Sequence, residues 1–146
     1  MCDFIFHVPV PTHVLLRSMH ASYILIPPRA SRHGGIRLLY EWRVYHVVPG
    51  RMGALNERFE KITTKLFEKH GIKIVGFWEA VFGTSNTLYY MLAFKDMAHK
   101  ESAWNAFVTD PEWIKARQET EATAGGPLVE RVDNLLLKPT AYSPLK

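Results

Sequence analysis

Cysteine is almost missing from this chain of 146 residues: Cys2 stands alone. One thiol makes no intramolecular disulfide framework and no cysteine-built zinc site. Long apolar runs are missing as well. Without a stretch of about 18 apolar residues there is no transmembrane helix of the usual kind. Charge of one sign is not concentrated either. Lys and Arg number 18 against 14 Asp and Glu, a formal net charge of +4, and the basic residues alternate with acids, as in Glu57-Arg58-Phe59-Glu60-Lys61. That is the pattern of a solvated helix face, not of the basic stripe that binds phosphates, so no nucleic-acid partner is expected. Motifs that carry their own chemistry are lacking: no HExxH, no G-x-S-x-G elbow, no P-loop and no dinucleotide fingerprint occurs. No metal and no cofactor is expected, and no catalytic residue is identified.

What is present is the composition of an ordinary folded protein, with 47% hydrophobic and 22% charged residues. The length suits one domain. Residues 1–36 stand apart from the rest. They hold a single acid, Asp3, beside Arg17, Arg29 and Arg32, and prolines at Pro9, Pro11, Pro27 and Pro28 break any long helix or central strand. This composition suits a disordered extension, a start placed too far upstream, or an organellar targeting segment. The folded domain is expected over 37–146. The sequence leaves localisation open between cytoplasmic and, if residues 1–36 act as a presequence, mitochondrial.

From Ile36 onward the periodicity is regular. Residues 38–48 are aromatic and β-branched, a strand signal, ended by Pro49-Gly50. Met52, Leu55, Phe59, Ile62 and Leu66 recur at helical spacing, and Lys69-His70-Gly71 closes that helix. A second strand is predicted over 72–82, a short polar loop at Gly83-Thr84-Ser85-Asn86, and a returning strand over 87–94. Asp96 is placed to cap a helix running to Val108, with Trp104 and Phe107 inward. Asp110-Pro111-Glu112 restarts helix, and Gly125-Gly126-Pro127 ends it before a last strand over 128–137. The order β-α-β-β-α-β is the ferredoxin-like α+β arrangement: a four-stranded antiparallel sheet with helices on one face.

Two helices cover one face of such a sheet, and the other should then be polar on alternate residues. It is not. In the third strand Leu88, Tyr90, Leu92 and Phe94 alternate with Thr87, Tyr89, Met91 and Ala93, and the second strand is mostly apolar on both sides. A homodimer joined face to face would cover the second surface.

These segments resemble the NIPSNAP family. The resemblance is carried by Tyr40-Glu41-Trp42-Arg43-Val44-Tyr45, Pro49-Gly50 with Met52-Gly53, Phe59-Glu60, Glu68-Lys69-His70-Gly71-Ile72, Val75-Gly76-Phe77-Trp78 and Asp110-Pro111-Glu112-Trp113. It spans about residues 38–144. It implies a dimeric α/β-barrel, and it implies no common reaction.

Glu41, Arg43 and Tyr45 alternate on the first strand and so share a face. Tyr40, Trp42 and Val44 take the other, assigned here to the helices. The polar trio is then expected inside the barrel, with Trp78 either lining the same cavity or part of the plain core. Buried charges need partners, so the trio is either a ligand pocket or a structural network that fixes register or the dimer contact. In the ligand-pocket reading Arg43 holds an anionic group, Tyr45 donates a hydrogen bond and Glu41 acts as a base. His46, on the opposite face from Tyr45, and His70, at a helix end, are read as structural, and His99 as facing solvent. The expected function is a dimeric barrel that binds a small molecule or a protein partner. The alternative is a cofactor-independent monooxygenase- or isomerase-type enzyme with its site inside the barrel.

Overall fold

A computed structural model describes residues 38–145. The expectations for residues 1–36 lie outside the described residues. Strand β1 (Leu39–Val47) leads through the Pro49-Gly50 turn into a helical arm made of α1 (Met52–Arg58), a π-helical stretch (Phe59–Thr63) and α2 (Thr64–Lys69). Strands β2 (Lys73–Glu79) and β3 (Thr87–Phe94) form a hairpin, followed by α3 (Met97–Val108), α4 (Pro111–Thr123) and β4 (Val129–Leu137). All strand pairs are antiparallel, in the spatial order β2-β3-β1-β4. This is the expected α+β, βαββαβ architecture. The sheet is open rather than closed on itself.

The predicted helix starts are made by the predicted residues. The Asp96 side chain accepts a bond of 2.8 Å from the His99 amide, and Asp110 accepts one of 2.9 Å from the Glu112 amide with Pro111 in the first turn. Gly71 ends α2 with φ of +69°, a conformation that suits glycine.

Register fixes the two faces. β1 pairs Glu41 with Leu92, Arg43 with Tyr90 and Tyr45 with Leu88. Leu88, Tyr90, Leu92 and Phe94 are buried and, apart from cross-strand contacts, pack with Leu55, Phe59, Phe67 and Phe107 of the helices. Glu41, Arg43 and Tyr45 therefore face the helices. The assignment of Tyr40, Trp42 and Val44 to that side is reversed: Trp42 lies on the other face, which no helix among the described residues covers, against Tyr89 and Trp78.

Two further expectations need correction. A bulge at Val75 puts Ile74 and Phe77 on the same side, across from Leu92 and Tyr90. Simple alternation fails there because a bulge inserts one extra residue. The second strand also stops at Glu79, so Val81 and Phe82 sit in the hairpin loop, fully exposed at 105% and 99%. In the helical arm, the π-helical turn spends one more residue than an α-turn and shifts the inward stripe. Thr63 and Phe67 become buried beside Leu55, Phe59 and Leu66, while Ile62 is half-buried.

Candidate functional site

The site begins with a carboxylate that has no access to water. Glu41 is 0% exposed, because β1 is an inner strand and α3 lies over it. Its Oε1 accepts bonds of 2.8 Å from Arg43 Nη1 and 2.9 Å from Asn134 Nδ2 of β4, and Lys100 Nζ of α3 stands 3.7 Å away. The Arg43 guanidinium lies 4.4 Å from the centre of the Trp104 ring, with Tyr45 at 5.7 Å and Tyr90 at 5.8 Å. Such stacking stabilises a desolvated cation. Burial disfavours the charge on Arg43, yet the Tyr90 and Tyr45 phenols and Glu41 hold its pKa above the ordinary value. Burial, together with Tyr45, pushes the Tyr90 phenol well above its own usual range.

This cluster is incompletely satisfied. Glu41 Oε2, Arg43 Nε and Tyr90 Oη are buried without a hydrogen-bond partner, and Arg58 Nε is a fourth such atom. Buried polar groups are nearly always paired, so three such atoms on neighbouring residues mark a place that is not plain core.

Next to the cluster is a cavity of about 330 Å³, between the helix-facing side of the sheet and the helices. Tyr45 and Trp104 line it and also touch Arg43. Phe59 and Thr63 line it from the π-helical stretch, Arg58 lines it from α1, Trp113 from α4 and Val132 from the edge strand β4. Arg58 is 5% exposed and stacks on Trp113 at 5.2 Å. Burial lowers its pKa, and Glu121 offsets that in part.

The structure thus brings Glu41, Arg43 and Tyr45 together and leaves Trp78 out. Trp78 is on the opposite face, 47% exposed and stacked on Trp42 at 5.6 Å. His46 is on that face too, with Nε2 2.8 Å from Asp133 Oδ2 and 2.9 Å from Arg131 Nη2. His70 lies 2.7 Å from Asp110 Oδ2, tying the end of α2 to the start of α4. His99 is half-buried, and its Nδ1 accepts a bond of 3.2 Å from the Lys95 amide. Among the described residues no group of His, Cys, Asp and Glu side chains could hold a metal ion, and no helix is long and apolar enough to cross a membrane.

Sequence reasoning missed Arg58, Tyr90, Lys100 and Asn134 as parts of this region. Arg58 carried a signal: with Leu55 and Phe59 it sits at i+3 on the inward stripe of α1. Asn134 carried none, since its approach to Glu41 depends on the pairing of β1 with β4.

Comparison with known proteins agrees with this architecture. The NIPSNAP family model matches residues 40–144. The chain belongs to the NIPSNAP family. Human protein NipSnap homolog 3A is 32% identical over 77 residues, 52% of this chain and 30% of the relative. The chain therefore spans about a third of the length of the curated relatives it matches. Among solved structures, a NIPSNAP family protein with unknown function from Agrobacterium tumefaciens superposes with a TM-score of 0.68 at 23% identity, covering 78% of this chain and 98% of that one. A NIPSNAP-like domain protein from Burkholderia xenovorans gives 0.67 at 19% identity, covering 75% and 91%. At these identities the likeness establishes the fold of this NIPSNAP domain and leaves its site to be read from its own residues.

Proposed function

We propose that this NIPSNAP domain is a homodimeric binding module in which a second copy covers the open sheet face and a small molecule enters the helix-side cavity. The observation that carries the ligand reading is a hollow of about 330 Å³ lined by Arg58, a buried guanidinium whose Nε has no hydrogen-bond partner. Small-molecule sites are typically concave, mostly apolar and supplied with a few fixed polar groups, at volumes from about 300 Å³ upward. Tyr45 and Trp104 form the wall between the polar cluster and the hollow.

The second copy is supported by the other face. Trp78, Leu135 and Leu137 are exposed there, and Trp42, Val44, Tyr89 and Met91 are half-buried. Its His46, Asp133 and Arg131 side chains bond one another, which lessens the charge that two copies would bring together there. Such pairing would close two open sheets into a barrel. In this reading the ligand lies outside that barrel, between sheet and helices. No observation favours an enzyme over a binding module.

Titration of a small-fragment library, followed through backbone amide shifts, tests the ligand reading. Shifts are expected at Tyr45, Thr63, Val129 and Val132, and Val132→Trp at the edge strand should abolish them. Fragments that shift only Trp42, Tyr89 and Leu135 would contradict it.

A further inference from the structure

Arg58 has less company than a buried guanidinium normally has. It offers five N–H donors. Nη1 gives one bond of 3.3 Å to Thr120 Oγ1. The nearest acid, Glu121, lies 3.6 Å from the same nitrogen, beyond hydrogen-bond reach, and is held at 3.1 Å by Arg117 Nε. Nε is buried with no partner. The side chain nevertheless lines the cavity, with its guanidinium over the Trp113 ring. A cation placed so has donors to spare and a fixed orientation.

The rest of the cavity defines what could meet it. Trp104, Phe107, Trp113, Phe59 and Phe67 supply aromatic walls. The volume is at the low end for small-molecule sites. Arg117 and Arg131 line the hollow too, but Arg117 is bonded to Glu121 and Arg131 to Asp133, and Glu130 is a further acid on the wall, so Arg58 is the cation left to meet a ligand, which suits a monoanion better than a phosphate dianion. Resting on the ligand reading above, we infer that the cavity takes a small aromatic monocarboxylic acid, its ring among Trp104, Phe107 and Trp113 and its carboxylate against Arg58. A carboxylate is planar with two acceptors, the shape that a guanidinium fork matches.

Calorimetric titration of the full chain with 1-naphthoate and with its neutral isostere 1-naphthamide tests this. Charge-assisted bonds should make the acid bind at least about tenfold more tightly than the amide. Arg58→Gln should reduce that preference to less than about twofold. Glu121→Gln removes a competitor for Arg58 and should tighten naphthoate binding more than naphthamide binding. Equal binding of acid and amide to the wild-type chain overturns the carboxylate inference and leaves the small-ligand reading standing. Failure of both probes to bind contradicts both. An unchanged or weakened naphthoate affinity in Glu121→Gln also counts against the inference.

Discussion

Trp78 lies across Gly76. Its Cζ2 stands 2.7 Å from the position that a Cβ on Gly76 would occupy, and its ring stacks on Trp42 with centroids 5.6 Å apart. The glycine is what lets the indole lie flat on the sheet face away from the helices.

Gly76→Ala should therefore dislodge Trp78. Overpacking of this kind costs about 1–3 kcal/mol, read from urea or thermal unfolding. In a Trp78→Ala background the same substitution should be close to neutral, because the clash is gone. Additive losses in the double variant would show that the glycine serves some other purpose.

The Glu41–Arg43 pair should behave as a buried ion pair. Removing one member leaves the other charge uncompensated, at a cost of about 3–5 kcal/mol. Glu41→Gln is expected to destabilise the chain by an amount near that range, because it leaves both Arg43 and Lys100 without their shared anion. A combined Glu41→Leu, Arg43→Met chain should recover much of the loss. If Glu41→Gln unfolds at the same denaturant concentration as the wild type, the carboxylate is not ionised against Arg43.

Much of the fold was legible in the chain, and the reasons are local. The caps at Asp96 and Asp110 are side-chain bonds to amides two or three residues on, so they need no tertiary information. The third strand ends where its turn residues and its break at Lys95-Asp96 place it. The face assignment of β1 was not local. Polar Glu41, Arg43 and Tyr45 read as the side away from the helices, but Trp104 and Lys100 of α3 and Asn134 of β4 receive them. Those partners come from about 60 and 90 residues further along the chain, and only the strand register brings them there. The cavity was equally out of reach, since its walls come from β1, the helical arm, α3, α4 and β4 together.

Acid should loosen the contact between α2 and α4. Bonds from Lys69 and His70, with one from the Glu112 amide, hold the Asp110 carboxylate well below its ordinary pKa of 3.8. The unfolded chain therefore takes up this proton first as pH falls. The contribution is fully present above the unfolded pKa and is lost as pH drops below it towards the folded value. Asp133, lowered by its bond to His46, adds an effect of the same sign. Asp110→Asn retains a capping side chain but no charge. Its unfolding free energy should fall less steeply than the wild type's below about pH 4. Identical acid slopes would show that Asp110 does not contribute.

The dimer makes a direct demand on mass. By light scattering at micromolar concentration the wild-type chain should have twice its mass of 16.8 kDa, while Trp78→Asp with Leu135→Asp, which places charge on the sheet face away from the helices, should give a single folded 16.8 kDa chain. A wild-type chain that is itself stable and soluble at 16.8 kDa would contradict the account.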